Sequence, residues 1–253
     1  MRINSPLILA LSLVSAAPAL AQTAFDGPYI GAVAGAQVHS QNRARTEGTP
    51  GFLALPNTIR PDFQDLEFDD GWHGGAVLGW NASSGNIVYG VEGDFVIGNI
   101  KARQSFVGAP IPGLAPQGVT TNINSRLGNR ASLRARLGYA AGDKVLFYAT
   151  GGLAVGDTRA AAAVNVNGAP GVGWVGEAEN TQTGYVVGGG AEFKLTKAVA
   201  LRAEYLFTDF GKQRVLATGN AAVRGIPALD GIDYLAAAPN RGGVARVGLT
   251  IGF

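Results

Sequence analysis

The segment IVYGVEGDFVIG, at residues 87–98, decides how this chain folds. Its large apolar side chains recur at every second position, a period that predicts a β-strand with two chemically different faces. One face carries the carboxylates of Glu92 and Asp94. The other face is apolar and includes Val91 and Phe95. Such a strand needs an apolar environment on one side and cations on the other, and the rest of the chain must supply both.

Seven further segments repeat the period-2 pattern, so the sequence predicts eight strands. The seven lie at residues 29–38, 72–81, 132–139, 145–156, 184–195, 199–209 and 243–253. Even strand numbers are typical of bacterial single-chain outer-membrane barrels. The pattern therefore favours an all-β architecture of that kind.

The gaps between these segments alternate strictly between long and short. The long gaps are residues 39–71, 99–131, 157–183 and 210–242, and the short gaps are residues 82–86, 140–144 and 196–198. Outer-membrane barrels show this alternation, with long loops outside the cell and tight turns at the periplasm. A soluble all-β domain seldom contains four structureless connections of such length.

The two faces of the predicted strands carry different chemistry. One face has no charged residue in any of the eight strands, whereas in four strands two charges share the opposite face. A soluble sandwich would turn its apolar face inward. We predict the reverse: an eight-stranded antiparallel up-and-down transmembrane β-barrel with four long extracellular loops and short periplasmic turns. A soluble barrel with the same inverted faces is the alternative.

The charged face is predicted to line a lumen that eight strands leave just wide enough for side chains to fill. Its acids and arginines balance, and they are Glu92, Asp94, Glu192, Glu204, Arg134, Arg136, Arg202 and Arg246. An odd-length turn at residues 196–198 sets Glu192 directly across from Arg202. Inward glycines such as Gly79 are expected to leave room for the arginines. We interpret the set as a salt-bridge network that holds the barrel together, with a gated polar pathway as the alternative.

Aromatic residues are predicted to form two girdles on the lipid-facing surface. Trp72 and Trp80 lie at opposite ends of one strand, as residues at the two membrane interfaces do. The second set lies near the periplasmic strand ends and comprises Tyr139, Phe147, Phe193 and Phe253. An aromatic core stripe is the alternative for any one of them.

The N-terminus reads as a targeting segment rather than as part of the fold. A positively charged start, an apolar run at residues 7–14 and an Ala-Leu-Ala sequence at residues 19–21 match a cleaved signal peptide. The apolar run is shorter than the ~20 residues of a transmembrane helix. We therefore predict a signal peptide at residues 1–21 and an exported barrel domain at residues 22–253, with a buried N-terminal helix as the alternative.

Composition excludes several other classes of protein. The chain is 47% hydrophobic and only 15% charged, against about 25% charged in an average domain. It nevertheless has no apolar run of 18 residues, so its apolarity is distributed in alternation. A formal net charge of +2 does not indicate nucleic-acid binding. The absence of cysteine excludes disulfides and thiolate metal sites.

Several stretches resemble the family of small outer-membrane β-barrels that includes the OmpA-type barrel and alphaproteobacterial surface antigens. They are GPYIGAVAG (27–35), YGVEGDF (89–95), LFYATGGLAVG (146–156), GYVVGGGAEFKLTKAVALRAEYLFTDFG (184–211) and RVGLTIGF (246–253). The resemblance implies that Phe253 is the signal read by the barrel-assembly machinery. It also implies an address in the outer membrane. Phe25 stands where the family usually has tryptophan.

No catalytic, cofactor or metal site is predicted. The motif GVGWVG at residues 171–176 fits a dinucleotide-binding pattern, but no helical stretch follows it, so it is interpreted as flexible loop. The two histidines are His39, near an outer strand end, and His73, facing the lumen. His39 and its neighbour Ser40 point to opposite faces of a strand and make a poor catalytic dyad.

The leading hypothesis is a structural and surface protein of the outer membrane without catalysis. The alternatives are a narrow pore for ions or very small solutes and a surface-binding protein that acts through its loops. Lipids and lipopolysaccharide are the expected partners, the latter through basic loop residues that could contact its phosphates. These are Lys101, Arg103, Arg126, Arg130, Lys212, Arg214 and Arg224.

Overall fold

The computed structural model describes residues 23–38, 42–48, 64–68, 71–108, 115–227 and 229–253, with the backbone alone for 42–48 and 64–68. The predicted signal peptide and His39 lie outside these ranges. The described strands are β1 (Gly27–Val38), β2 (Asn42–Gly48), β3 (Gln64–Phe68), β4 (Trp72–Ser84), β5 (Ile87–Gly98), β6 (Ile100–Val107), β7 (Val119–Ala141), β8 (Val145–Val166), β9 (Gly173–Lys194), β10 (Val199–Gly219) and β11 (Tyr234–Gly252). One short helix, α1 (Ala221–Arg224), precedes β11. Among the described residues, no helix has the length and hydropathy needed to cross a membrane.

Eight of the described strands close into a ring. The order is β1-β4-β5-β7-β8-β9-β10-β11, each pair is antiparallel, and β11 returns to β1. The closing pair runs from Tyr29 opposite Gly252 to Val38 opposite Gly243. Every strand of this ring has two neighbours, so the ring has no sheet edge to aggregate. The predicted eight-stranded antiparallel up-and-down order is confirmed.

Tight turns connect the strands at one end of the barrel, which we call the turn end. Gly85 joins β4 to β5 with a φ of 60°, and Gly142 joins β7 to β8 with a φ of 68°. Only glycine adopts such angles without strain, so these two residues allow the short connections. On the two strands joined by the next tight turn, Glu192 of β9 lies opposite Arg202 of β10, which confirms the predicted register.

The opposite end, the loop end, contains more strand than predicted. There β2, β3 and β6 pair in series between β11 and β7 and so replace β1, β4 and β5 in the ring. The predicted long loops are correspondingly shorter. The third is reduced to residues 167–172, because β8 and β9 extend through most of residues 157–183. Alanines occupy both faces of β8 there. Hydropathy therefore does not alternate, and the sequence pattern does not indicate a strand.

Large apolar side chains cover the outside of the ring. Leu78, Leu133 and Leu153 are 65%, 67% and 73% exposed, respectively. The inward face instead buries ions, including Arg134 and Arg202 at 1% and 0% exposure. This distribution confirms the inverted arrangement of faces, which suits a barrel surrounded by lipid.

The interior is filled in layers from the turn end to the loop end. The first layer consists of Phe25, Val88, Ala140, Leu146 and Tyr148. Charged side chains lie beyond it, followed by an apolar layer of Ile100, Ala154, Val186, Leu206, Phe210 and Val244. The last is a loop-end core that includes Ile123, Val164, Trp174, Val215, Leu229, Ile232 and Tyr234. Ordered filling of this kind positions the charged layer, which is the candidate functional site.

A charged network in the barrel lumen

Glu92, on β5, is the centre of the charged layer. Its Oε1 forms an ion pair with Arg134, which lies directly opposite on β7. Its Oε2 lies 2.6 Å from Nη2 of Arg202 and 3.4 Å from Nη1 of Arg136. The hydroxyl of Tyr29 donates a hydrogen bond of 2.6 Å to the same oxygen. Because the Glu92 side chain is fully buried, these donors replace the water that a carboxylate requires.

Asp94 and Glu204 each bridge the same two arginines. Oδ2 of Asp94 lies 3.1 Å from Nη2 of Arg134 and 2.8 Å from Nη1 of Arg246. Oε1 of Glu204 lies 3.0 Å from Nη1 of Arg134, and its Oε2 lies 2.6 Å from Nε of Arg246. Asp94 also accepts a hydrogen bond of 2.8 Å from the hydroxyl of Ser132. These contacts connect β5, β7, β10 and β11 across the lumen.

Glu192, on β9, extends the network toward the turn end. Its Oε1 lies 2.7 Å from Nη2 of Arg136 and 2.7 Å from Nη2 of Arg202. Nε of Arg202 donates a further hydrogen bond of 2.9 Å to the same oxygen. The eight charged residues singled out in the sequence thus lie in one continuous set of contacts.

Two tyrosines that sequence reasoning did not select complete the charged layer. The guanidinium of Arg136 lies 5.4 Å from the ring centroid of Tyr29 and 3.9 Å from that of Tyr148, within the range of cation–π attraction. Tyr29 pairs with Gly79, and Tyr148 pairs with Gly190. A Cβ on either glycine would meet the ring opposite. These two glycines therefore leave room for tyrosines, whereas Gly90, Gly152 and Gly248 lie opposite Arg136, Arg134 and Arg202, respectively, as expected of inward glycines. The available sequence signal for the tyrosines was an inward aromatic residue opposite a glycine.

The network holds strands of the ring together through buried ion pairs. Its ionised side chains are at most 6% exposed, and removing one partner of such a pair costs about 3–5 kcal/mol. Within the described ranges, no group of three His, Cys, Asp or Glu could hold a metal. Among the ring strands, only β1, β4 and β8 contribute no charged residue to it. What the geometry provides is a set of crosslinks across the barrel.

Arg130 lies inside the barrel and not, as predicted, among the basic loop residues. The register of β7 with β8 shifts between Leu127 and Arg130. Such an irregularity reverses which side chains point inward. Arg126 consequently faces outward and is exposed, whereas Arg130 is 9% exposed. Arg130 itself is in phase with the inward Arg134 and Arg136, and the prediction failed because β7 extends beyond the strand start predicted at residue 132.

The predicted aromatic residues and His73 lie on the expected faces of the barrel, whereas the motif at residues 171–176 differs from its prediction. The aromatic residues Trp72, Trp80, Tyr139, Phe147, Phe193 and Phe253 are exposed on the outer surface, and His73 is buried in the lumen. The motif at residues 171–176 is not a flexible loop. Its Gly173 begins β9, and Trp174 is buried and donates a hydrogen bond of 2.6 Å to the carbonyl of Ile232.

Comparison with known families agrees with this geometry. The family described as "Outer membrane protein beta-barrel domain" matches residues 7–226, which is most of the chain. The chain belongs to this family. Membership and fold together place the protein in the outer membrane.

Relatives of this outer-membrane β-barrel protein include surface antigens. The chain is 31% identical over 156 residues to the 31 kDa outer-membrane immunogenic protein of Brucella melitensis, covering 60% of this chain and 59% of that one. It is 29% identical over 192 residues to the 25 kDa outer-membrane immunogenic protein of Brucella abortus, covering 76% and 68%, respectively. The matched region thus spans about three fifths of the length of the first relative.

A solved structure supports the same fold for this family member. The outer membrane protein OprG from Pseudomonas aeruginosa superposes with a TM-score of 0.55 at 10% identity, over 91% of this chain and 98% of that one. At this identity the likeness concerns the fold alone.

Proposed function

We propose that this outer-membrane β-barrel protein has a structural and surface role, with a lumen that is closed to solutes. The observation that carries this proposal is the charged network, whose members contact one another across the lumen from β5 to β11. The apolar layer on the turn-end side of the network adds a further barrier to water and ions. A pore would need a continuous polar path instead.

Planar-bilayer recording tests the closed lumen. We expect the refolded wild-type protein to give no reproducible channels. Arg134→Gln removes the cation that Glu92, Asp94 and Glu204 share, and should increase leakage if the network is the barrier. Arg126→Gln, on the outer face of the same strand, is the matched control. Regular wild-type channels that Arg134→Gln abolishes would overturn the proposal in favour of a pore.

The role proposed here involves no catalysis. Support comes from the buried charged layer, in which every acid is paired with arginine, so no carboxylate is left as a general base. The barrel-assembly machinery, which acts during insertion, is the proposed partner for Phe253.

Lipopolysaccharide is the partner that we propose at the loop end. Lys101, Arg126 and Arg159 lie in one cross-strand row on the outer faces of β6, β7 and β8. Arg159 is paired with Glu177, but Lys101 and Arg126 lie directly opposite each other. Like charges so placed are destabilising, and phosphate oxygens between them would relieve the repulsion. The row borders a surface groove of about 350 Å³. Val155 is an outward apolar residue of β8. Arg159 lies four residues beyond it, about 14 Å along the strand, which places Arg159 near the lipid headgroup region.

Binding to immobilised lipopolysaccharide tests this partner. We expect Arg126→Gln to weaken binding to native lipopolysaccharide and to leave binding to the same lipid without its lipid A phosphates unchanged. The matched control is Lys212→Gln, an exposed position on β10 away from the row. Equal effects of the two substitutions would contradict a role for the row.

A further inference from the structure

We propose that the lumen contains a binding site for one small inorganic anion of halide size, between Arg130, His73 and Arg246. These three side chains line a cavity of about 30 Å³ on the loop-end side of the charged network. Room of this size is enough for one or two water molecules, and a monoatomic halide is of similar size. Arg246 also belongs to the charged network, whereas Arg130 and His73 take no part in its contacts.

Three groups that lack partners converge on this cavity. Neither ring nitrogen of His73 has a hydrogen-bond partner among the described residues, although the residue is only 2% exposed. Nη2 of Arg246 likewise has none, and its nearest paired carboxylate oxygen, on Glu92, is 3.9 Å away. Buried polar groups are almost always satisfied in folded proteins, so a partner of small size is expected there.

Arg130 adds an unbalanced positive charge to the same place. The four acids and four arginines of the network neutralise one another, so Arg130 makes the charge of this part of the lumen +1. It lines the same cavity as Asp94, His73 and Arg246, yet it forms no ion pair within the described ranges. An isolated buried ion is unfavourable. Binding one anion would neutralise it.

The surroundings favour an anion over a cation or an organic molecule. Arg130 and Arg246 contribute two positive charges to the cavity lining and Asp94 one negative charge. Asp94 already accepts from Arg134, Arg246 and Ser132, so its oxygens are occupied. The remaining wall is closed by Val96, Ala154, Val186, Leu206 and Phe210 among others. Free N–H groups in an apolar pocket of this size fit a halide.

A polar connection toward the loop end offers a way in. A second cavity of about 20 Å³ shares Arg130 and Thr208 with the first and is lined also by Ser125 and Asn240. Asn240 accepts from Ser125 at 3.2 Å and donates to Gln182 at 2.8 Å. The anion would enter from the loop end, because the network blocks the other side.

Thermal melting of the refolded full barrel tests the site. We expect a higher melting temperature in sodium chloride or bromide than in sodium gluconate at equal ionic strength, because a ligand that binds only the folded state stabilises it. Arg130→Met should remove this difference. Lys212→Met, at an exposed position on β10, should retain it.

Crystals grown with bromide give an independent measurement that does not depend on a variant. An anomalous peak between Arg130, His73 and Arg246 is the expected result. If Arg130→Met fails to refold, His73→Leu should reduce the halide-dependent shift in melting temperature. The proposal is overturned by a wild type that melts identically in chloride and gluconate, by a shift that Arg130→Met retains, or by an ordered water in place of bromide.

Discussion

At the scale of single residues, buried ions and exposed ions of the same chemical type have very different consequences. Glu92 is in contact with three arginines at 3.4 Å or less and is fully buried. The pair of Arg159 and Glu177 lies on the outer surface, where each side chain is 50% exposed. Water screens the second pair but not the first.

Glu92→Gln should therefore lower the free energy of unfolding by about 3–5 kcal/mol, because it leaves several buried guanidinium groups with less negative charge. Urea titration of the protein refolded into lipid vesicles measures this change. Glu177→Gln is the control and should leave the urea midpoint unchanged within error. Equal losses for the two variants would show that burial does not determine the strength of these pairs.

The exposed pair should also respond weakly to pH. The Arg159 guanidinium holds the pKa of Glu177 below its usual value, so the pair stabilises above that usual pKa and the stabilisation is lost as pH falls through the lowered one. We expect the difference in melting temperature between wild type and Glu177→Gln to be small at neutral pH and to vanish in acid. A difference that grows on acidification would contradict this sign.

Tyr148 combines two interactions that substitutions can separate. Its hydroxyl donates to Glu204 at 3.2 Å, and its ring lies over Arg136. Tyr148→Phe should cost about 1.5–3 kcal/mol, as loss of a hydrogen bond to a charged group does. Tyr148→Leu should cost more, because the ring is also lost. Urea midpoints that are the same for the two variants would exclude a contribution from the ring.

At the scale of strands, the two faces of β10 impose opposite demands. Leu201 is exposed on the outer face and Arg202 is buried on the inner one. Leu201→Arg should impair membrane assembly, because it places a charge on the lipid-facing surface of the barrel. The double substitution of Arg202→Leu and Glu192→Leu removes one positive and one negative charge and should be milder. Folding yields into vesicles compare them, and equal yields would contradict the assignment of faces.

The loop-end strands form a unit with a core of their own. Trp174 packs edge-on against Tyr234, with ring centroids 5.1 Å apart, and burial of Tyr234 raises the pKa of its hydroxyl. Trp174→Ala should remove about 3–5 kcal/mol of packing from this part alone. We expect limited proteolysis to cleave the loop-end strands of the variant in vesicles and to spare the strands within the membrane. Cleavage unchanged from wild type would argue against a separate core.

At the scale of the whole molecule, closure of the ring should make the barrel resist detergent. All strands of the ring have both edges paired, so local opening breaks two ladders and the network contacts together. The folded protein should migrate differently on a detergent gel before and after boiling. Identical migration, or solubility of the mature chain without detergent, would contradict a membrane barrel.

Most of the barrel could be predicted from sequence because its signals are local. Alternation fixes the inward and outward faces, glycine marks the tight turns, and turn length determined that Glu192 faces Arg202. The extra length of β8 and β9 was missed because alanine on both faces of β8 hides the alternation there. The inward direction of Arg130 was missed because β7 begins before residue 132, and the outward direction of Arg126 follows from an irregularity between Leu127 and Arg130.

The amino-acid sequence by itself determined the number of strands in the ring, their faces and eight of the ions in the lumen. Only the tertiary structure decided which ions meet, as Asp94 and Arg246 do although they are 152 residues apart. It also decided that tyrosines as well as arginines lie opposite the inward glycines, and that one arginine is left over. The physical reason is that contacts across a lumen depend on how the ring closes and how far each side chain reaches. Neither property is encoded in the spacing of residues along one strand.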